Sequence, residues 1–191
     1  THLRRIARRS KRGKLDKTGR NPDQYPTRIR EDFMSADTVL SLEECQAIKP
    51  EIADIRIPLV SEGHHKILLG ETEHMTMRVH CYAPGIGEND MHAHLEEDHI
   101  FIVLDGEAQF LTLDGPLPVV GKNQSIILPK GCFYGFSNPS KDVPLVLLRM
   151  GAGKATIHSG ERISPNGEPV PGRAQKSGAT KPQIIEGAFF E

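Results

Sequence analysis

A chain of 191 residues with 37% hydrophobic and 26% charged residues suits one soluble globular domain with appendages. It has no run of 18 apolar residues to span a bilayer, and its basic start has no apolar segment behind it, so neither a membrane span nor a secretory leader is expected. The net charge of −1 hides an asymmetry, since residues 1–30 carry eleven Lys/Arg against two acids and leave the remainder near −10.

The first 30 residues show no hydrophobic periodicity and read as a basic arm. Arg4, Arg5, Arg8, Arg9, Lys11, Arg12 and Lys14 suit an anionic surface or nucleic acid. The opposite charge of the rest of the chain suits an arm laid on an acidic body, its own or a second subunit's. No nucleic-acid module follows and Trp is absent, so nucleic acid is not the expected partner; a homo-oligomer, dimer or higher, is. Ser41-Leu-Glu-Glu44 has capping-box spacing and predicts a short helix over 41–50, stopped by Pro50. Residues 1–52 are thus arm and helix.

From about 54 the pattern changes to short β-rich runs bounded by Gly, Pro, Asn and Asp. Strands are predicted near 54–61, 65–70, 73–82, 91–95, 99–105, 107–113, 117–120, 124–128, 132–137, 143–150 and 154–158. Asp105-Gly106 predicts a hairpin turn, and Asp114-Gly115 a second. So many short strands argue for an all-β antiparallel barrel or jelly roll over 53–158. Residues 159–191 are rich in Pro and Gly and read as a tail whose aromatic end, Ala188-Phe189-Phe190, docks on a core. Cys45, Cys81 and Cys132 are odd in number and lack C-x-x-C spacing, which argues against a disulfide framework and for a reducing, cytoplasmic setting.

The chemistry concentrates at His92-Ala-His94 and His99. Residues two apart on a strand share a face, so His92 and His94 point the same way. On the next strand His99, Phe101, Val103 and Asp105 share a face; if it is the inner one, His99 joins the pair. Neutral imidazole is the commonest metal-ligand side chain, since one nitrogen donates a lone pair while the other is anchored by a hydrogen bond. Elsewhere, His80 and Tyr82 share a face that can reach the interior, and Arg78 and Arg149 are candidates to fork a substrate carboxylate. His64, His65 and His158 are expected at the surface, and Cys132 as a pocket wall.

Residues 85–106, from Gly-Ile-Gly through His92-Ala-His94 to Gly106, resemble the first motif of the cupin superfamily: a Gly-containing lead, His-x-His, three or four residues, Glu, six residues and Gly. Residues 123–138 resemble the second, with Pro129, Gly131 and Asn138 in register. The resemblance spans about 60–155 and implies a cupin-type β-barrel, or double-stranded β-helix. Counting from Gly106, the usual Glu is replaced by His99; the usual His of the second motif is Tyr134, and its leading Gly is Asn123. The usual three-His-plus-Glu set becomes His92, His94 and His99, with Tyr134 opposite. If the turn is kinked, Glu96, Glu97 or Asp98 supplies a carboxylate instead. Tyr134 then ligates, acts as acid or base beside the metal, or packs.

The resemblance implies a mononuclear metal-dependent enzyme holding a divalent ion, Fe(II) in the first place and Zn, Mn or Ni as alternatives. The expected activity is that of a non-haem Fe(II) dioxygenase on a small organic substrate, aromatic or acidic, with Tyr134 orienting or protonating the bound species. A redox-neutral lyase or isomerase, or a non-catalytic ligand-binding barrel, are the other readings of the same residues.

Overall fold

A computed structural model describes residues 39–153, 162–170 and 181–191. They divide into two units, one ending at Pro50 and described from residue 39, the other Glu51–Glu191. In the first, helix α1 spans Leu42–Ala47. Its capping box is complete: the Ser41 hydroxyl accepts from the Glu44 N–H at 3.2 Å, and the Glu44 carboxylate accepts from the Ser41 N–H at 2.7 Å. The helix is shorter than the predicted 41–50. Ile48 is already extended, and the ring of Pro50 disfavours a helical residue before it.

The second unit is almost entirely antiparallel β-structure. Its strands are β1 (Ile57–Glu62), β2 (His64–Glu71), β3 (Met75–Tyr82), β4 (Gly87–His94), β5 (Glu97–Asp105), β6 (Glu107–Thr112), β7 (Gly115–Pro116), β8 (Val120–Gly121), β9 (Ser125–Leu128), β10 (Tyr134–Ser137), β11 (Leu145–Gly153), β12 (Arg162–Ile163) and β13 (Gln183–Phe190). One sheet runs β2-β3-β11-β5-β9; the other runs β12-β4-β10-β6-β7, with β8 also on β6. This is the expected jelly roll. Consecutive strands β4 and β5 lie in different sheets, so the chain crosses between them at Leu95-Glu96.

Alternation along the strands separates two cores. Tyr82, Phe101, Val103, Phe110, Tyr134, Phe136, Leu145 and Leu147 pack between the sheets. Their neighbours in sequence, Val79, Cys81 and Val146, point the other way and meet Ile57 and Val60 of β1 with Phe190 of β13. The segment 159–191, expected as a tail, therefore contributes strands: β13 pairs with β1 and covers the outer face of the first sheet. Arg56 fastens its end, with its guanidinium 3.6 Å over the Phe189 ring and its Nε 2.7 Å from Glu191.

Two turns come out differently. Asp114-Gly115 closes a hairpin, with Thr112 opposite Gly115. Asp105-Gly106 does not: β5 and β6 belong to opposite sheets, and Gly106, at φ 76°, turns the chain from one to the other. A two-residue turn signal reports left-handed backbone, which a sheet-crossing corner needs as much as a hairpin does. The predicted strand 117–120 is replaced by the short pieces β7 and β8 on either side of it. The basic arm and the predicted strand 154–158 lie outside the described residues. Among the described residues no helix is long and apolar enough to cross a membrane.

At Gly106 a Cβ would meet the Pro144 carbonyl at 2.6 Å, whereas at Gly70 nothing lies within 4 Å. Gly106→Ala is expected to lose about 2 kcal/mol of unfolding free energy, backbone strain and collision adding, and Gly70→Ala to stay within about 1 kcal/mol of the parent. Urea unfolding of the two variants checks this; equal losses would refute the assignment of Gly106 as a constrained corner.

Candidate metal centre

The crossing at Leu95-Glu96 brings four side chains to one place from two sheets. β4 supplies His92 and His94; β5 supplies Glu97 and His99, which share the inward face because they are two residues apart. All four are buried. One donor atom each of His94, Glu97 and His99 lies within 4.8 Å of the others. The Nδ1 of His94 is 3.6 Å from Oε2 of Glu97, and Nε2 of His99 is 2.8 Å from that same oxygen. The predicted residues His92, His94, His99 and Tyr134 are thus brought together, and of the alternative acids Glu96, Glu97 and Asp98 it is Glu97 that joins them. Glu97 needs no kinked turn to reach the site, because it is the first residue of β5. Glu96 and Asp98 are exposed, and Asp98 instead accepts from the backbone N–H of Lys130 at 2.7 Å.

The hydrogen bonds set which atoms remain available. Nδ1 of His92 donates to the Asp90 carbonyl at 2.7 Å, so its lone pair sits on Nε2, which has no hydrogen-bond partner and lies 3.9 Å from the Glu88 carboxylate. Nδ1 of His94 and Oε1 of Glu97 are likewise buried and unpartnered. Buried polar atoms are nearly always satisfied, so three orphans in one cluster of lone-pair donors have the composition of a cation site. His99 is held at both ends: Tyr134 Oη lies 2.9 Å from Nδ1, and Glu97 and Arg149 both contact Nε2.

Electrostatics leave His92 and His94 neutral and Glu97 ionised, the forms that bind a cation. Burial lowers the pKa of His92 to about 4, against a counteracting pull from Glu88. Burial, followed by the charges of His99 and His92, lowers His94 to about 2. His99 is lowered by burial, opposed by the hydrogen bond that its Nε2 donates to the Glu97 carboxylate. Burial alone would raise Glu97, but its hydrogen bond to His99 and the Arg149 charge outweigh that and keep it ionised. Burial, reinforced by Glu88, pushes Tyr134 far above the ordinary phenol range, so its hydroxyl keeps its proton.

Arg149 serves this cluster, its Nη2 lying 3.2 Å from Oε2 of Glu97. Gly151, across from His99 on β11, leaves the space: a Cβ there would overlap Oε1 of Glu97. Sequence reasoning did not find Gly151 or this use of Arg149. The i, i+2 alternation running back from His99 was the available signal for Glu97. His80 is buried as expected, but His64 is not a free surface residue: its ring stacks on Tyr82 at 4.1 Å, and its Nε2 is 2.8 Å from Nδ1 of His80. Cys132 is half-buried against the interior cluster, and His158 lies outside the described residues.

Residues 78–151 match the family model of the cupin domain. They form a cupin domain. The match holds all of β3 to β10 from Arg78 on and most of β11, and so contains every site residue named above. The chain is 33% identical over 75 residues to the uncharacterized protein YdbB of Bacillus subtilis strain 168, which covers 39% of this chain and 64% of the relative, just under two thirds of its length. It is also similar to a Klebsiella pneumoniae protein with a double-stranded β-helix domain, at 16% identity over 63% of this chain and 88% of that one, with a TM-score of 0.45. The cupin domain of Schizosaccharomyces pombe Cnp3 is similar at 18% identity over 47% and 61% of the two chains, with a TM-score of 0.44.

The depressed histidines predict an acid-sensitive cupin domain. Above pH 6.5 neither folded nor unfolded chain protonates them; below it the unfolded chain takes up protons that folded His92 and His94 refuse down to about 4 and 2. Stability in the presence of a chelator should therefore fall steadily from pH 6.5 towards 4.5, before most carboxylates titrate. Thermal melts at half-unit pH steps test this, and a flat melting temperature over that range would contradict it.

Proposed function

We propose that this cupin domain is a mononuclear metal-dependent enzyme whose ion is held by His94, Glu97 and His99, with His92 as the fourth donor. Two observations support the reading: three buried atoms without a hydrogen-bond partner, His92 Nε2, His94 Nδ1 and Glu97 Oε1, come from two facing sheets, and His99 Nε2 converges on the same cluster. Three imidazoles and one carboxylate suit Fe(II) as well as Zn, Mn or Ni; iron, with a dioxygenase-type oxidation of a small organic substrate, is the first reading. Bound iron would supply O₂ activation, and the protein residues have separable tasks. Glu97 brings the negative charge, and Arg149 holds its second oxygen so that the carboxylate cannot rotate away. The Asp90 carbonyl fixes the His92 tautomer. Tyr134 is a positioning residue acting through His99: its hydroxyl sets the ring's orientation and, staying protonated, does not compete for the ion.

Relative to the motif that the sequence resembles, the composition of the set is kept and its positions are exchanged. His99 stands where Glu is usual, Glu97 restores the carboxylate two residues earlier on the same strand face, and Tyr134 takes the place of the remaining His. A redox-neutral reaction on the same ion uses the same donors, and metal identity separates the two.

Elemental analysis of the purified full chain is expected to find one equivalent of a transition metal. His94→Ala and Glu97→Gln should reduce it to background, while Tyr134→Phe weakens affinity by roughly 10- to 100-fold, as loss of a ligand's orienting partner does. Iron with O₂ uptake supports the dioxygenase; zinc or nickel without O₂ dependence supports the redo-neutral reaction; full metal content in both ligand variants would sink the assignment. Gly151→Ala should also lower metal content, because its methyl takes the place of Oε1 of Glu97 without removing any donor.

A further inference from the structure

Beside the metal cluster, the inner face of the β2-β3-β11 wall carries an arrangement the site above does not use. Thr76, Arg78, His80 and Tyr82 share one face of β3. That face is the interior one, since the Tyr82 ring packs edge-on against Phe136 at 5.1 Å inside the barrel. In the sheet, Arg78 lies directly across from Arg149, and His80 directly across from Lys66. Like charges placed opposite one another destabilise a sheet, so a directly paired Arg-Arg step needs a compensating anion.

Arg149 has one in Glu97. Arg78 does not: its guanidinium donates to Thr76 Oγ1 at 3.0 Å, and among the described residues it makes no ion pair. Glu71, exposed at the end of β2, and Glu97 act on it only at longer range. Burial and the Arg149 charge both work against its protonated form, as burial and Arg78 do for Lys66. Next to Arg78, His80 is 4% exposed. Its Nδ1 is engaged by His64 at 2.8 Å and by the Tyr82 hydroxyl at 3.3 Å, while its Nε2 is buried and unpartnered. The wall reaches solvent at Lys66, which is exposed.

We infer that the barrel takes a small organic anion whose carboxylate is held by the Arg78 fork, with Lys66 beside it and Nε2 of His80 as a further contact. A guanidinium offers two parallel N–H donors that match a carboxylate, and the neutral amide of the same acid cannot supply the missing charge. The inference names the substrate class for the metal-dependent reading and rests on it for the chemistry; binding of the anion itself needs only the wall.

Calorimetric titration of the full chain at low salt with acetate, benzoate and succinate, each against its amide, tests it. At least one acid should bind tenfold or more tightly than its amide and weaken as salt rises. Arg78→Gln should erase that preference with metal content unchanged, and Arg78→Lys should keep part of it through charge without the fork. No acid preference in the parent protein, or the parent's preference retained in Arg78→Gln, would overturn the inference. If Arg78→Gln does not fold, the acid–amide contrast and its salt dependence in the parent decide alone. Protein that holds no metal yet prefers the acid refutes the metal reading only; protein that loads metal without preferring the acid refutes this inference only.

Discussion

The interior depends on one buried charge, the carboxylate of Glu97. Taking an isolated carboxylate out of water costs several kcal/mol even after the protein relaxes, and it persists ionised only where charge and hydrogen bonds replace the lost hydration. Here Arg149 and His99 do so from two strands of the same sheet, at 3.2 and 2.8 Å from one oxygen. Gly151 keeps the space open for the other.

Around that charge the barrel divides into two halves with different work. One is a dry aromatic cluster in which Phe101, Phe110, Tyr134 and Phe136 pack ring against ring at 5.2 to 5.9 Å. Close packing of this kind has few alternative arrangements, so it gives the polar half a rigid floor. Tyr134 belongs to both: its ring is in the aromatic core and its hydroxyl orients His99. The polar half collects histidines, the buried Glu97 and a cationic wall. Its unsatisfied atoms, His80 Nε2, His92 Nε2, His94 Nδ1 and Glu97 Oε1, all lie on this side. Among the described residues the other buried side-chain polar atoms have hydrogen-bond partners, which sets these four apart.

Strand alternation explains how the donor set tolerates rearrangement. A shift of one residue along β5 would turn a side chain to the opposite face, as Asp98 shows by pointing out to the Lys130 N–H. A shift of two residues keeps the face, which is how a carboxylate at Glu97 and an imidazole at His99 coexist in one site. The same rule puts Arg78, His80 and Tyr82 on a shared wall.

Much was legible without coordinates. Alternating short strands pointed to a barrel because period-two burial is a local property, and the resemblance of residues 85–106 and 123–138 to the two cupin motifs located the region of the site. Which turn joins which strands was not legible. Asp105-Gly106 demands the same backbone whether it closes a hairpin or crosses between sheets, and only the packing of both sheets decides. The docking of β13 on β1, the claim of Glu97 on Arg149 and the room made by Gly151 likewise join residues far apart in the chain. Sequence by itself determined the faces of the strands and the kinds of atoms they carry; tertiary structure alone decided which of those atoms meet, because contacts across two sheets depend on register and crossing points that no local pattern encodes.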